Sequence, residues 1–378
     1  MDHENTGNDF NIDRFIDMAV PINTCNFRCH YCYITHTRSF AQKLPKFKHS
    51  SAQMAQAFSR KRFGVCVINL CAGGETLLAP EMPAITRALL EEGHIIMIVT
   101  NGTPRKAFDE FVLFPQELRD RLFIKFSFHY LELSRLKLLD HFFKNVQAMK
   151  ASGISFTLEI TPCDELFPYI EDIKKICVER AGALPHVTIA RDEGDADYPI
   201  LTKLSRNEYI EKWSQFDSAL FNFKESVFGV KQAGFCYGGG ATYNASLDTG
   251  VLKQCYQRKK LMNLYKNVNS RVKINLVGHG CQAPHCWNAH AWMGFGTVPA
   301  KNKDTPIYAQ MRNRVCPDGS EWLCGDVKKA FSVRVKTDGY NISKNKSKEW
   351  VENKLASILK IYYNPAFRKI VSRIRGKR

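Results

Sequence analysis

The sequence predicts an α/β protein with an open barrel of six parallel strands. Short apolar runs alternate with segments of helical period, for example residues 80–93 and 131–153, which both end on glycine. Alternation of this kind indicates parallel strands joined by right-handed helical crossovers. Six strand–helix units fit residues 14–195, so we predict a partial (β/α)6 barrel and not a closed eightfold one. The strand-like runs are FIDMAVPI, FGVCVINL, HIIMIVT, LFIKFSF, ISFTLEI and HVTIA.

Three further parts follow the predicted barrel. Residues 196–233 contain the helical stretch LSRNEYIEKWSQFDSALFNF and form a helical connection. Residues 234–326 are rich in Gly, Cys and aromatic residues without a helical period, which indicates a small domain held by something other than an apolar core. Residues 327–378 start with a strand-like run, AFSVRV, and continue as a basic helical extension.

Composition sets the class of protein. A chain of 378 residues with 44% hydrophobic and 24% charged residues is folded rather than disordered. It lacks both a membrane-spanning apolar run and a signal peptide, so we expect it in the cytoplasm. In that reducing compartment, metal ligation or catalysis explains clustered cysteines better than disulfides do. Four isolated cysteines are predicted to be buried packing residues, namely Cys66, Cys71, Cys163 and Cys177.

The positive charge is concentrated towards the C-terminal end. The formal net charge is +17, and the 53 residues from Asp326 onward hold fifteen Lys or Arg against four Asp or Glu, a net of +11. The rest of the chain is only mildly basic, which argues against nucleic acid as a partner. A predicted amphipathic helix in the tail suits peripheral contact with the inner face of the membrane; docking on the protein's own core is the alternative. Its apolar stripe consists of Phe367, Ile370, Val371 and Ile374.

The stretch CNFRCHYCY places Cys25, Cys29 and Cys32 directly after the first strand. Three thiolates supply three of the four corners of a cubane iron–sulfur cluster and leave the fourth iron open. A zinc site is the alternative, because His30 lies between two of the cysteines, but a site made from this short loop alone would be cramped. At the mouth of a parallel barrel, an open-cornered cluster is placed for chemistry.

The spacing C-x3-C-x-aromatic-C, with Tyr31 in the aromatic place, resembles the signature of the radical S-adenosylmethionine (SAM) enzymes. The resemblance implies a TIM-like partial barrel, a 4Fe-4S cluster whose open iron chelates SAM, and reductive cleavage of SAM to a 5′-deoxyadenosyl radical. The stretch CAGGETLL is similar to the family's GGE motif, in which the backbone and a carboxylate receive the SAM ammonium group. The SAM-binding residues that the resemblance implies are Tyr31, Gly73, Gly74, Glu75, Thr100, Asn101, Ser127, Glu159 and Arg191, with His129 where the family commonly has Asp.

A second group of cysteines follows in the Gly-rich region. Cys236 and Cys255 stand at the two feet of a predicted hairpin, with Gly250 at its turn. The spacing C-x13-G-x4-C resembles the SPASM and twitch domains of the same family, although the dense cysteine run of a full SPASM domain is missing. The resemblance implies one auxiliary 4Fe-4S cluster on Cys236, Cys255, Cys281 and Cys286, and a zinc site is the alternative.

Two further cysteines and two histidines in this region are candidates for several roles. Cys316 and Cys324 are candidates for a replacement cluster ligand or for a catalytic thiol that donates a hydrogen atom. His285 and His290 are candidates for the substrate pocket, and structural hydrogen bonding is the alternative.

The resemblance implies a radical SAM oxidoreductase that oxidises or epimerises a polar, sugar-like substrate. The auxiliary cluster would accept or supply an electron as the substrate radical resolves. Modification of a ribosomally made peptide is the nearest alternative, and a nucleic-acid-modifying radical SAM enzyme is a further one. The expected partners are a small-molecule or peptide substrate and an external electron donor such as flavodoxin or ferredoxin.

Overall fold

The computed structural model describes residues 10–193, 195, 198–256 and 259–340. One sheet in this part of the chain holds β1 (Arg14–Val20), β2 (Cys66–Ala72), β3 (Ile95–Thr100), β4 (Leu122–Ser127), β5 (Ser155–Ile160), β6 (His186–Val187), β7 (Thr242–Ser246), β8 (Val251–Lys253) and β9 (Lys260–Asn263). Their order across the sheet is β6-β5-β4-β3-β2-β1-β7-β8-β9. Strands β1 to β6 are parallel and correspond to the six predicted runs. The sheet is open, because β1 pairs with β7 rather than with β6. The predicted partial barrel is therefore confirmed.

The inner and outer faces of the barrel strands bury different side chains. The outer face packs against the crossover helices. On the inner face, Phe15 and Phe123 lie near the amino ends of their strands and join an apolar cluster contributed by residues 289–335. Phe15 stacks on Phe295 at 5.0 Å, and Phe123 meets Phe331 edge-on at 5.0 Å. Burial on both faces explains why the strands read as nearly continuous apolar runs.

Thirteen α-helices accompany the strands in the described residues. Two predicted helices are each divided in two. The segment 131–153 is interrupted at Lys137, whose φ of 57° is left-handed and ends a helix. The segment 204–223 is interrupted at Asp217, with a φ of 46°, after which Ser218 caps the next helix by accepting from the Phe221 amide at 3.2 Å. The helices are α1 (Tyr33–His36), α2 (Ser51–Ala57), α3 (Arg60–Phe63), α4 (Met82–Glu91), α5 (Arg105–Val112), α6 (Gln116–Arg119), α7 (Tyr130–Arg135), α8 (Leu139–Ala151), α9 (Ile170–Ala181), α10 (Arg206–Ser214), α11 (Ala219–Val227), α12 (Ala289–Trp292) and α13 (Gly325–Phe331).

The prediction that AFSVRV forms a strand is wrong. Helix α13 covers the start of this run, and no strand follows it within the residues described up to 340. Val327, Ala330 and Phe331 recur at helical spacing and form the buried face of α13. The segment therefore forms a helix, because its apolar helical face packs against the inside of the barrel.

The predicted hairpin is present as β7 and β8, and it continues the barrel sheet. Gly250, at the turn, has a φ of 64°, and its amide donates to the carbonyl of Ser246 at 2.9 Å. Because β7 pairs with β1, the cysteine-rich region is joined to the barrel by main-chain hydrogen bonds.

The domain boundaries near 195, 233 and 326 stay predictions. The predicted amphipathic stripe between 367 and 374 lies outside the described residues, and none of the described helices has the length and apolarity to cross a membrane.

Candidate active site

Three cysteine thiols line one cavity at the carboxyl end of β1. Cys25, Cys29 and Cys32 belong to the loop before α1, in which the Cys32 amide donates to the Cys29 carbonyl at 3.1 Å. The Thr35 hydroxyl donates to the same carbonyl at 2.8 Å. Burial raises the pKa of Cys25 to about 11 and also raises the pKa of the other two thiols. Since metal ligation requires thiolates, a cationic centre here would stabilise three groups that burial otherwise keeps protonated.

The GGE loop packs directly against the segment that leads to the thiols. The Gly74 amide donates to the Ile22 carbonyl at 2.6 Å, and the Glu75 amide donates to the Thr24 carbonyl at 3.0 Å. A Cβ on Gly74 would lie 2.1 Å from the backbone oxygen of Thr24, whereas one on Gly73 would meet only the side-chain oxygen of Asn23, which can move. Gly74 is therefore required by the contact between the two loops, in addition to the close ligand approach that the sequence predicts.

The carboxylate of Glu75 is buried and accepts three hydrogen bonds. The donors are the Thr100 hydroxyl at 2.6 Å, the Asn101 amide at 2.6 Å and the Leu77 amide at 2.9 Å. Burial nevertheless raises the pKa of Glu75 to about 7. A carboxylate has about four lone-pair directions, so one remains for a ligand ammonium group. The side chain of Asn101 also donates to Asn26 Oδ1 at 2.8 Å, which ties the cysteine loop to the end of β3.

Ser127 and His129 line the same cavity from the end of β4. The Tyr31 hydroxyl forms a hydrogen bond with Nδ1 of His129 at 2.8 Å. Burial lowers the pKa of His129 to about 4, so its imidazole is neutral at pH 7 and offers hydrogen bonding without the negative charge of an aspartate. Tyr31 thus holds a residue that lines the cavity, and its own side chain is not part of the lining.

The groups around this cavity fit a cluster with one open iron and a bound amino acid group. Three soft thiols converge on it, two glycines leave room, and the carboxylate of Glu75 lines it. His30 is directed elsewhere, because its Nε2 pairs with Glu165 at 3.0 Å and the two residues group with Cys163. The zinc alternative for the cysteine triad therefore does not obtain its fourth ligand from His30.

A protein-family model described as the radical SAM superfamily matches residues 19–162, the stretch that contains the three thiols and the GGE loop. Residues 19–162 are a radical SAM domain. This domain indicates an enzyme, and the superfamily uses a 4Fe-4S cluster together with SAM. No curated protein sequence matches the chain.

Solved structures of radical SAM enzymes are similar to this chain. Streptococcus suis SuiB bound to precursor peptide SuiA is 13% identical, with a TM-score of 0.47, over 68% of this chain and 64% of that one. Native anSMEcpe with bound AdoMet is 14% identical, with a TM-score of 0.43, over 67% and 79%. BtrN in complex with AdoMet and 2-DOIA is 13% identical, with a TM-score of 0.33, over 74% and 93%. The chain thus matches about 64% of the length of SuiB.

A second cavity, of 430 Å³, adjoins the SAM site of this radical SAM chain. Val99 on β3 lines both cavities. On β2, Cys71 lines the larger cavity and the next residue, Ala72, lines the SAM cavity. Burial raises the pKa of Cys71 to about 12, which keeps its thiol protonated. Cys71 is therefore a cavity residue, whereas the other three cysteines predicted to be packing residues are buried.

Arg191 lines the larger cavity, and Glu159 pairs with two cations of its wall. The Glu159 carboxylate pairs with Lys125 Nζ at 2.7 Å and with Arg312, and both of these cations line the cavity. Although burial alone would raise it, these two cations hold the pKa of Glu159 well below its usual range. The guanidinium of Arg191 lies 5.0 Å from the ring of Trp287 on the same cavity wall. Neither Glu159 nor Arg191 lines the cavity of the three thiols, and their predicted contacts with SAM stay predictions.

Another part of the same wall is built around Asp17. Its carboxylate accepts from the side-chain amides of Asn69 at 2.8 Å and Asn288 at 3.0 Å, and from the Tyr256 hydroxyl. Burial raises the pKa of Asp17. The arrangement offers a carboxylate, two amides and a phenol, which is a set suited to hydroxyl groups of a ligand.

The four cysteines of the predicted auxiliary site lie near one another. The Cys286 thiol interacts electrostatically with those of Cys236, Cys281 and Cys255, and burial raises its pKa. None of the cysteines in the chain forms a disulfide. Cys286 also lines a cavity of 70 Å³ that shares three residues with the larger cavity, namely Arg191, Lys224 and Trp287.

The two candidate histidines lie on either side of this junction. His285 lines the 70 Å³ cavity, with its ring 4.8 Å from that of Phe228. His290 lines the 430 Å³ cavity, and its Nδ1 is buried without a hydrogen-bond partner among the described residues. Burial holds the pKa of His290 well below its usual range. A neutral imidazole nitrogen is therefore open to a ligand.

Cys316 and Cys324 lie at the opposite end of the barrel. The Cys324 thiol contacts the Ser155 hydroxyl at 3.3 Å, and Ser155 is the first residue of β5. The Cys316 thiol is buried and lies 3.7 Å from Lys150 Nζ, on the helix that precedes β5. The SAM site is at the carboxyl ends of the strands, so the structure does not bring these thiols to either cavity.

Sequence reasoning missed most residues of the larger cavity. One signal was present: Asp17, Asn69 and Lys125 are polar residues inside otherwise apolar strand runs. With a side-chain period of two, they share the inner face with apolar neighbours such as Phe15 and Phe123. Lys224 and Arg312 carried no local signal, because they reach the cavity from segments outside the strands.

Proposed function

We propose that this radical SAM enzyme removes a hydrogen atom from a polar, sugar-like substrate bound in the 430 Å³ cavity, leading to oxidation or epimerisation. The single observation that carries this proposal is a charged and hydroxyl-lined cavity that shares Val99 with the SAM site. A bound cluster and SAM supply the 5′-deoxyadenosyl radical. The shared wall would keep the substrate carbon next to that radical and away from bulk water.

Unpaired polar atoms in the cavity wall support a hydrogen-bonding substrate. Asn69 Oδ1, His290 Nδ1 and Arg312 Nε are buried, and none of them has a partner among the described residues. A buried donor or acceptor without a partner costs about 1–3 kcal/mol. A ligand that forms hydrogen bonds with these atoms removes that cost and therefore binds more tightly. A polyhydroxylated compound offers both donors and acceptors at short spacing, and an apolar compound offers neither.

The second group of cysteines supports an electron-transfer role. Cys236, Cys255, Cys281 and Cys286 supply four thiolates for an auxiliary 4Fe-4S cluster near the cavity wall formed by Arg191 and Lys224. These residues would hold the cluster close to the substrate, where one electron has to leave if the product is oxidised. An external flavodoxin or ferredoxin is the proposed reductant.

Deuterium transfer tests this function directly. Reduced, cluster-reconstituted protein is incubated with SAM and with fully deuterated sugars, sugar acids and cyclitols, and 5′-deoxyadenosine is analysed by mass spectrometry. We expect a mass gain of one deuterium from at least one polyhydroxylated compound and no 5′-deoxyadenosine from Cys32→Ala. Transfer that occurs only from deuterated peptides would replace this proposal with peptide modification.

A further inference from the structure

Four cations line the larger cavity, and three of them pair with carboxylates. Lys125 and Arg312 share Glu159, whose oxygen lies 2.7 Å from Lys125 Nζ. Arg191 pairs with Glu193 at 2.9 Å. Two carboxylates thus face three cations, so this part of the wall keeps a net positive charge even before Lys224 is counted.

Lys224 is the fourth cation, and no described carboxylate lies within 4.0 Å of its Nζ. Its ammonium group donates to the Thr188 hydroxyl, which is a neutral partner. Burial lowers the pKa of Lys224 to about 7; Glu159 raises it, and Lys125, Arg191 and Arg312 lower it further. A partly buried ammonium group beside other cations gains from an added anion.

We propose that the substrate carries an oxyanion, a phosphate or a carboxylate, that binds between Lys224 and Arg191. This inference rests on the proposed function, since it concerns the substrate of the same cavity. A guanidinium presents two parallel N–H groups that match an oxyanion, and an ammonium group adds a point charge. The guanidinium of Arg191 is held in place by the ring of Trp287, 5.0 Å away. Both cations also line the 70 Å³ cavity beside Cys286, so the oxyanion binds at that end.

The rest of the cavity then receives the uncharged part of the substrate. Asp17 and its amide and phenol partners lie on other elements of the wall and suit hydroxyl groups. A substrate with an oxyanion at one end and hydroxyl groups at the other is fixed in one orientation relative to the SAM site. Sugar phosphates and sugar acids carry both an oxyanion and hydroxyl groups, whereas neutral sugars lack the oxyanion.

Calorimetry on the cluster-reconstituted protein with SAM tests the oxyanion site. Glucose 6-phosphate, glucuronate and glucose are titrated separately at pH 6.5, and inorganic phosphate and acetate are used as competitors to decide which oxyanion is preferred. We expect an anionic sugar to bind at least about tenfold more tightly than glucose. Lys224→Gln should abolish this preference and Lys224→Arg should keep it. Lys212→Gln, which removes an exposed lysine on α10, is the matched control and should bind as the wild type does.

A pH series on the wild type tests the same point without a variant. Lys125, Arg191, Arg312 and Glu159 are the charged groups that interact with Lys224. Affinity for glucuronate should fall between pH 6.5 and 8.5 as Lys224 loses its proton, while affinity for glucose stays constant. Equal affinity for anionic and neutral sugars, no binding of either anion, or unchanged binding in Lys224→Gln would overturn the inference. If deuterium is still transferred to 5′-deoxyadenosine from a neutral sugar or cyclitol, only the inference fails; if no polyhydroxylated compound transfers it, the proposed function fails.

Discussion

Gly74 and the Thr24 carbonyl approach each other so closely that no side chain fits between them. Gly74→Ala places a Cβ 2.1 Å from a backbone oxygen, so the GGE loop and the cysteine loop have to separate. We expect the free energy of unfolding to fall by about 1–3 kcal/mol. SAM affinity should fall at least about tenfold, because the loss of one correctly placed charged contact already has that effect. Thermal unfolding and a SAM titration measure the two effects.

Gly339→Ala is the matched control for this substitution, since a Cβ there meets no atom within 4 Å. Its stability and SAM affinity should equal those of the wild type. If Gly74→Ala behaves like Gly339→Ala, the two loops are free to move apart and the glycine serves another purpose.

Residues that act within one short segment were predictable, and residues that meet across the chain were not. The triad of Cys25, Cys29 and Cys32 and the GGE loop are local patterns whose spacing is set by the chemistry of the group they bind. Lys224 and Glu159 meet around the cavity only after folding, and a single lysine on a helix is usually a solvated residue. Arg191 lines the larger cavity and not that of the thiols for the same reason, because the sequence indicates where the strand ends but not where the side chain points.

At the scale of elements, His94 joins the start of β2 to the chain after α2. Its Nδ1 accepts from the Cys66 amide at 3.2 Å, and its Nε2 donates to the Phe58 carbonyl at 2.7 Å. Burial lowers the pKa of His94 to about 4, against about 6.5 in the unfolded chain. Because the unfolded state binds the proton more tightly, His94 reduces stability as the pH falls from 6.5 towards 4.

The free energy of unfolding of His94→Gln should therefore be lower than that of the wild type at pH 7, and it should decrease less as the pH falls. The stability advantage of the wild type over His94→Gln should shrink by about 2 kcal/mol between pH 7 and pH 5. Urea unfolding of both proteins at several pH values measures the difference. A constant difference over this range would mean that the pKa of His94 is the same in the folded and the unfolded chain.

The cysteine-rich hairpin region provides a test that separates the two predicted clusters. Reconstituted wild type should contain roughly eight iron atoms per chain, from two cubanes, and Cys286→Ala should contain roughly four. Cys32→Ala should also lose about four, which leaves the auxiliary cluster in place. Cys177→Ala is the control, because Cys177 is buried in the core away from both groups of cysteines. Equal iron content in wild type and Cys286→Ala contradicts the auxiliary site.

Helices and strands were predicted correctly where one hydrophobic period dominated, and the prediction was wrong where a helical and a strand-like pattern overlapped. The six barrel strands and α4 follow from plain apolar runs and helical spacing. The run AFSVRV contains both an apolar stretch and an i, i+3, i+4 set, and contact with Phe123 decides in favour of the helix. The division of the 131–153 segment depends on a left-handed Lys137, a conformation for which lysine gives no signal.

At the scale of the whole molecule, the barrel depends on the later part of the chain for its interior. The amino-end half of the barrel is filled by side chains from residues 289–335, which come after the cysteine-rich region. Together with the pairing of β7 and β1, this makes the two predicted domains share one core. Residues that line the larger cavity come from both parts for the same reason, as Asp17 and Arg312 show.

A shared core predicts a single unfolding transition, and Phe295 is the residue that tests it. Phe295 is fully buried and stacks on Phe15 at 5.0 Å and on Tyr308 at 4.5 Å. Phe295→Ala should lower the free energy of unfolding by about 3–5 kcal/mol. Cluster absorbance, measured in a Cys286→Ala background so that it reports on the barrel cluster, and tryptophan fluorescence should both show their transition at lower urea. The exposed Leu113→Ala should change stability by no more than about 0.5 kcal/mol. If fluorescence shifts while the cluster absorbance does not, the barrel holds its core without residues 289–335, and the two parts fold independently.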